Sequence, residues 1–294
     1  MSQRSVSLVL GSGGARGHAH LGVIRAIEER GLDVQAVAGT SMGAVIGGIY
    51  AADQLGKYTE WANALSATDI VRLLDFSFSG SALFKGDKVF DVLRSLLGDR
   101  RIEALDRTYT AVATDIDAHR EIWLNEGSLF DAMRASAAVP GVFSPVSIND
   151  RHLVDGGLVN PIPIAPTLND ATDLTIAVDL NARTGRHKPV VEPATRANDD
   201  SEATRGYRER IGRYLSDLFD NDDSGSTPSA VRLLSDSIDI MQAAVSRLKF
   251  AAYSPDIVID IPRDACSFFD FHRTQEMADL GYQRAHEALR RAKL

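Results

Sequence analysis

The chain contains a single cysteine, Cys266, among 294 residues, so no disulfide can form within it. Such sparse cysteine is typical of a reducing compartment. No stretch approaches the roughly 20 consecutive apolar residues of a transmembrane helix. The apolar run at residues 6–10 is also too short for the core of a signal peptide. The sequence therefore predicts a cytoplasmic protein, whose contact with the inner face of a membrane, if it makes any, is peripheral.

Basic residues are also fewer than acidic ones. Lysine and arginine number 32 against 40 aspartates and glutamates, which gives a formal net charge of -8. Because a nucleic-acid-binding domain usually carries a basic face, this balance excludes nucleic acid as the expected partner. Hydrophobic residues make up 44% of the chain, enough for a large core. The sequence predicts one large α/β domain with an appendage.

Strands and helices alternate in the N-terminal half. Residues 6–10 read as a buried strand, about 18–30 as a helix and 34–38 as a second strand, and a helix of small residues follows Gly43. This alternation predicts a three-layer α/β/α fold with a central, mainly parallel sheet. Further strands are predicted at residues 109–117, 121–124, 174–180 and 257–261, and helical segments within 56–98 and at 129–139, 230–252 and 271–292.

The composition changes after Asn181. Residues 183–206 are polar and contain two prolines, which predicts a mobile loop. Residues 207–219 have the pattern of an amphipathic helix, and 221–228 form a second flexible stretch. We therefore expect a catalytic core at residues 5–181. Residues 182–294 would supply the loop, added helices and the C-terminal part of the same domain.

The most informative short motif is G-x-S-x-G, formed by Gly39, Ser41 and Gly43 with the residues between them. An apolar strand ends just before it and a helical pattern starts just after it. In such a strand-to-helix turn the serine hydroxyl projects into open space, and the helix N-terminus favours a developing oxyanion. The motif predicts Ser41 as a nucleophile. The alternative is a helix N-cap in a tight turn.

A second glycine-rich turn follows the first strand at residues 11–17. A dinucleotide cradle would need a glycine at position 16, where the chain has Arg16, and an acid where the Ser41 turn stands. An oxyanion hole needs only backbone N–H groups, which Gly14 and Ala15 could supply. Because neighbouring parallel strands bring their C-terminal turns to one edge, this turn and Ser41 would be neighbours. A purely structural turn remains open.

A serine nucleophile needs a proton acceptor. Triad hydrolases of the α/β type place a histidine late in the chain, which would nominate His272 or His286, but both fall within a helical pattern. The other candidate is Asp155, which follows an apolar pair and precedes two glycines, Gly156 and Gly157. Burial beside a serine would raise the pKa of this carboxyl and let it take the proton directly. A plain Asp-Gly-Gly turn is the competing interpretation.

Three segments in this order carry a resemblance: residues 13–17 (GGARG), 39–43 (GTSMG) and 155–157 (DGG). Together they resemble the patatin-like phospholipase family, in particular its bacterial members similar to the neuropathy target esterase domain. Residues 18–22, 135–141 and 160–163 look like the same family. The likeness spans about residues 5–180 and fades beyond Asn181.

The resemblance implies a hydrolase of lipid acyl esters with a Ser–Asp dyad, no catalytic histidine, no metal and no cofactor. Carried over by motif position, Ser41 is the nucleophile, Asp155 the base, and Gly13, Gly14 and Ala15 the oxyanion hole. Supporting positions are Arg16, which would brace the loop, Gly17, Gly39, Gly43, Gly156 and Gly157.

Three alternatives stay open: a triad hydrolase with a late histidine, a catalytically silent regulatory protein of the same fold, and a nucleotide-binding protein. We also expect the wall or lid of a lipid groove among residues 73–97, with Phe76, Phe78, Leu83 and Phe84, and a lid role for the polar loop after Asn181.

Overall fold

The computed structural model describes residues 3–73, 82–183 and 230–294. The chain divides into two compact units, Met1–Thr184 with Gln242–Leu294, and Gly185–Met241. The expected loop at 183–206, except Arg183, and the expected segments at 207–219 and 221–228 lie outside the described residues. The division at residue 181 stays a prediction.

Strands and helices alternate through the first half, as the apolar periodicity predicts. The strands are β1 (Ser5–Leu10), β2 (Asp33–Thr40), β3 (Ala82–Phe84), β4 (Thr108–Asp115), β5 (Arg120–Leu124), β6 (Gly141–Phe143), β7 (Val146–Ile148), β8 (Arg151–Asp155), β9 (Leu174–Ala182) and β10 (Ile257–Pro262). The helices are α1 (Ala19–Glu29), α2 (Met42–Ala51), α3 (Leu55–Ala64), α4 (Ala67–Leu73), α5 (Asp87–Leu97), α6 (Leu129–Ser136), α7 (Ala230–Tyr253) and α8 (Thr274–Arg291).

The main sheet runs in the order β10-β9-β1-β2-β4-β8-β7, with β5 also paired to β4. The first five of these strands are parallel to one another, whereas β5, β7 and β8 pair antiparallel. Both faces are covered. Leu8 and Leu10 point into a large core with α1, α2 and α8, while Val9 packs with Ile162 and Phe250 on the other face. The predicted three-layer fold with a mainly parallel sheet is confirmed.

Helices α1 and α8 touch backbone to backbone because each has a glycine at the crossing. A Cβ atom on Gly22 would lie 1.7 Å from the Ala278 carbonyl oxygen, and one on Gly281 would lie 1.9 Å from that of Ala19. No larger side chain fits between backbones at these distances. The contact packs α8 beside the start of α1, next to the first glycine turn.

Strand β8 positions the far half of the site. It pairs antiparallel with only the last three residues of β4, so that Asp155 lies opposite Ala113. On the other side of β4, Thr40 at the end of β2 lies opposite Val112. The end of β8 and the end of β2 are therefore level, on either side of one strand.

The helical expectation for residues 56–98 is wrong at 82–84, where β3 pairs with β6 in a separate two-stranded sheet. Strands of three residues show too little periodicity to be read, and their pairing is set by a partner far along the chain. Phe76 and Phe78 of the expected lid lie outside the described residues, as do the side chains of Leu83 and Phe84. Within the described ranges, no helix is long and apolar enough to cross a membrane.

Candidate active site

Ser41 lies in the turn between β2 and α2 in a backbone conformation that L-residues rarely adopt, with φ 56° and ψ −127°. The turn is compact because its glycines leave no room for side chains. A Cβ on Gly39 would lie 2.4 Å from the Gly43 oxygen, and one on Gly43 would lie 2.1 Å from the oxygen of Leu10. Such strain is held only where the surroundings determine it, and it is common at reactive residues.

Hydrogen bonds to Ser136, at the end of α6, hold the strained turn in place. The Ser41 N–H donates to Ser136 Oγ at 2.9 Å, and the Ser136 hydroxyl donates to the Val112 carbonyl at 2.6 Å. Ser136 is fully buried. A single hydroxyl therefore ties the Ser41 backbone to the central strand β4.

Asp155 ends β8 and is only 3% exposed. Its Oδ1 accepts the Gly157 N–H at 2.6 Å, while Oδ2 has no hydrogen-bond partner among the described residues. Burial raises the pKa of Asp155 to about 6, against the lowering effects of the Ser41 hydroxyl and the Gly157 amide. The carboxyl is thus a stronger base than an exposed aspartate.

Ser41 and Asp155 are brought together at the end of β4. The Ser41 hydroxyl is close enough to lower the pKa of the Asp155 carboxyl, yet it does not meet hydrogen-bond geometry to Oδ2. Hydrogen bonds between catalytic groups are often long before substrate binds, and they tighten when it does.

The first glycine turn, residues 11–17, reaches the same edge. Gly14 has φ +55°, and the Phe268 ring lies 2.6 Å from the position that a Cβ would take. The Ala15 N–H donates to the Phe268 carbonyl at 2.9 Å, which corrects the expectation of Ala15 as an oxyanion donor, because its amide is occupied. The N–H groups of Gly13 and Gly14 have no acceptor among the described residues.

Arg16 is buried and braces this turn. Its Nε donates to the Gly13 carbonyl at 3.1 Å, and one terminal nitrogen donates to the Arg263 carbonyl at 2.7 Å. Gly17 lets Met42 approach, since its Cβ would lie 2.2 Å from Met42 Cγ. These contacts press the glycine turn against the residue that follows Ser41.

The two glycines after Asp155 also allow neighbouring segments to approach closely. A Cβ on Gly156 would lie 2.1 Å from the Val112 carbonyl oxygen. One on Gly157 would lie 2.8 Å from Ser12 Oγ and 2.9 Å from Asp155 Oδ1. Ser12 of the first turn and Asp155 therefore flank the same side of Gly157.

None of the described histidines is hydrogen-bonded to Ser41 or Asp155. His20 contacts the Gly11 carbonyl through Nε2 at 3.0 Å, and burial lowers its pKa to about 4. His18 contacts the Tyr58 hydroxyl, and burial lowers its pKa to about 3. His286 contacts Arg30 beyond the end of α1, at the opposite edge of the sheet, and His272 is exposed. The geometry gives no support to a late-histidine triad.

No group of three or more His, Cys, Asp or Glu side chains in the described part of the chain is arranged to hold a metal ion.

A family model described as patatin-like phospholipase matches residues 8–168, more than half of the chain. The chain belongs to this family. Patatin-like phospholipases act on lipid substrates as acyl hydrolases, and the match includes Ser41, Asp155 and the first glycine turn.

Relatives extend the comparison. An uncharacterized NTE family protein of Mycobacterium tuberculosis is 37% identical, and the match covers 98% of this chain and 92% of the relative. Human patatin-like phospholipase domain-containing protein 6 is 33% identical, over 62% of this chain but only 14% of that protein. The crystal structure of VipD from Legionella pneumophila aligns with a TM-score of 0.48 at 14% identity, over 99% of this chain and 67% of that chain.

Four supporting residues of this patatin-like site could not be assigned a role from the sequence. Ser136 lies in the family-like stretch 135–141, Ser12 and Thr40 occupy unspecified positions of the two glycine motifs, and Thr114 lies in no motif. The Thr40 hydroxyl donates to the Asn160 carbonyl and the Thr114 hydroxyl to the Asp155 carbonyl, both at 2.9 Å. A small hydroxyl residue inside an otherwise apolar strand or helix end was the only available signal.

Replacing Ser136 with alanine is expected to lower kcat by about 10–100-fold with little change in KM, because the Ser41 turn loses its anchor. Two buried groups, the Ser41 N–H and the Val112 carbonyl, would lose their partner, at a cost of about 1–3 kcal/mol in stability. Steady-state kinetics and urea denaturation measure both effects. Ser147→Ala, an exposed serine on β7, is the control. An unchanged kcat would show that Ser136 does not position the turn.

Proposed function

We propose that this protein is a serine hydrolase that cleaves acyl esters of lipids, of phospholipase, lysophospholipase or carboxylesterase type, through a Ser41–Asp155 dyad. The observation that carries the proposal is the meeting of a strained serine and a buried carboxyl at the end of β4. Family membership supports the lipid class of the substrate. We further propose a cytoplasmic location with peripheral contact to the membrane.

In the first step the Ser41 oxygen attacks the acyl carbonyl carbon while Asp155 takes the hydroxyl proton. The raised pKa of Asp155 suits this transfer, because a base is most effective when its pKa lies near the working pH. The tetrahedral intermediate then collapses. The bond to the leaving alcohol or lysolipid breaks, and Asp155 returns the proton to its oxygen, leaving Ser41 acylated.

In the second step Asp155 removes a proton from water as the water oxygen attacks the acyl carbon. The bond to Ser41 breaks, the fatty acid leaves, and Ser41 recovers its proton from Asp155. One carboxyl group therefore accepts and returns a proton in each half of the cycle. No histidine is needed for either transfer.

The negative oxygen of each intermediate would be bound by the N–H groups of Gly13 and Gly14. Their lack of an acceptor in the described residues and their position in the turn pressed against Met42 support this assignment. Backbone donors held in place before the reaction are effective because they need no reorganisation, and each is worth about 10²–10³ in rate.

Ser41→Ala is expected to abolish hydrolysis of a p-nitrophenyl ester and labelling by a fluorophosphonate probe, since no other group supplies the attacking oxygen. Lipid products of a phospholipid and lysophospholipid panel, read by mass spectrometry, would identify the ester cleaved. Ser147→Ala is the matched control and should retain both activities.

Labelling that persists in Ser41→Ala would contradict the assignment of the nucleophile. A folded wild-type protein that neither reacts with the probe nor cleaves any ester would favour a silent regulatory protein of the same fold.

A further inference from the structure

A second concave site lies beside the first glycine turn. It is a pocket of about 590 Å³. Its lining comes from the C-terminal part of β9, from β10, and from the end of α7 with the turn that follows this helix. This volume is typical of pockets that bind small molecules or parts of them. It contains neither Ser41 nor Asp155, and the proposed chemistry leaves it unused.

Two carboxylates form part of its wall. Asp179 on β9 and Asp260 on β10 are paired residues of adjacent parallel strands, so their side chains stand next to each other on one face. Asp179 is 9% exposed. Burial, and to a lesser extent the charge of Asp260, raises the pKa of Asp179 to about 6. Two neighbouring carboxylates of this kind favour a positively charged ligand that donates hydrogen bonds.

Asn181 also lines the pocket. It is 6% exposed, its amide nitrogen donates to the Ser12 carbonyl at 3.1 Å, and its Oδ1 has no partner among the described residues. A buried acceptor without a donor is costly unless something supplies one. The Asn181 Oδ1 is covered from solvent, so a ligand in this pocket would satisfy this acceptor only by displacing the atoms that cover it.

Two arginines, Arg183 and Arg247, also line the pocket, and both are exposed. Within the described part of the chain neither forms an ion pair with a carboxylate of the wall. Guanidinium groups bind phosphate well because their paired N–H groups match its oxygens. The pocket thus offers oxygen acceptors on its wall and phosphate-binding groups at exposed positions.

Residues of the pocket wall contact residues that pack beside the proposed dyad. Asn181 holds Ser12, Ser12 lies against Gly157, and Gly157 donates to Asp155. The Gln242 amide, next to pocket residue Ala243, also lies against Gly157. Only β1 separates β2, which carries Ser41, from β9, so these strands are about 10 Å apart.

We propose that this pocket binds the headgroup of a glycerophospholipid or lysophospholipid that ends in a primary ammonium group. The inference rests on the proposed function and specifies the class of lipid that the Ser41–Asp155 site would cleave. The ammonium would donate to Asp179 and Asp260, and to Asn181 once its Oδ1 is uncovered, and the phosphate would lie against Arg183 and Arg247. A quaternary ammonium has no N–H to donate and is usually held by several aromatic rings, whereas Phe250 is the one aromatic residue among the described residues of this lining.

The test compares lysophosphatidylethanolamine with lysophosphatidylcholine of the same acyl chain, in the same mixed micelles and with a chelator present. Wild type should favour the primary ammonium lipid by about tenfold or more in kcat/KM. Asp260→Asn should bring this ratio close to one and leave p-nitrophenyl butyrate hydrolysis unchanged. Asp264→Asn, an exposed carboxylate just beyond β10, should keep the wild-type ratio.

Equal rates for the two lipids in wild type would overturn the headgroup assignment while the esterase proposal stood, provided that Ser41→Ala remained inactive. A preference that appears only when a divalent cation is added would also overturn it, in favour of a metal site. Binding to Ser41→Ala gives a readout that needs no turnover. Glycerophosphoethanolamine should raise its melting temperature more than glycerophosphocholine does, and an equal effect would count against the pocket.

Discussion

Asp155→Asn is expected to reduce kcat/KM for ester hydrolysis by about 10²–10⁴-fold, the range found when a general base is removed. The amide has the same shape as the carboxyl and keeps an oxygen for the Gly157 N–H, but it cannot take the Ser41 proton. In wild type, kcat/KM should rise with pH through about 6 and then level off, because only the ionised form of Asp155 is a base. Esterase kinetics from pH 5 to 8 measure both effects.

The same variant should be more stable than wild type at neutral pH. The folded pKa of Asp155, about 6, exceeds its ordinary value of 3.8, so the folded state holds a proton that the unfolded state releases in this window. Wild-type stability therefore falls as pH rises from 3.8 to 6, by about 3 kcal/mol in total. Asparagine does not ionise and escapes this loss. Urea denaturation at pH 4 and pH 8 measures the difference.

Asp150→Asn, an exposed aspartate in the turn before β8, serves as the control for both measurements and should match wild type. Full activity in Asp155→Asn would remove the dyad from consideration. A variant less stable than wild type at pH 8 would show that burial does not dominate the pKa of this carboxyl.

Gly43→Ala is expected to abolish activity and to cost about 3 kcal/mol or more in stability, at or above the usual upper end for overpacked sites. The new methyl group would lie 2.1 Å from the Leu10 oxygen and 2.7 Å from the Gly11 oxygen. Both are backbone atoms at the end of β1, so relief requires the first glycine turn to move away from Ser41. Denaturation curves and ester hydrolysis report the two effects.

Gly56→Ala on α3 is the matched control, because no atom lies within 4 Å of the position its Cβ would take. Alanine should stabilise that helix slightly. If Gly43→Ala kept wild-type activity, the close approach of the two turns would not be required for catalysis.

Much of this fold could be predicted from local pattern. The runs that became β1 and β2 are mostly apolar, with Ser7 and Gln35 as polar exceptions, and α1 and α2 follow glycine-rich turns, so their order predicts a parallel arrangement. Strand β8 could not be read in the same way. Its sequence shows an apolar pair ending at Asp155, but nothing local indicates that it pairs antiparallel with the tip of β4.

The site shows the same division. Ser41 and Asp155 stand in motifs that can be recognised, and the structure brings them together. The occupied amide of Ala15 depends on the Phe268 carbonyl, more than 250 residues away in sequence. The role of Ser136 likewise depends on the packing of α6 against the Ser41 turn, which places its hydroxyl at the Ser41 N–H. Hydrogen bonds between distant segments leave no periodic trace in a sequence.

The short pairing of β8 with β4 also bears on how the molecule assembles. A ladder of three residue pairs gains little until the helices and longer strands around it are packed. It closes a loop of about 40 residues between β4 and β8, and only then does Asp155 come level with the Ser41 turn. Contacts between distant segments form slowly, because the entropy of loop closure is lost before the contacts stabilise the fold. Turnover would therefore be regained last during refolding, after helical circular dichroism had recovered.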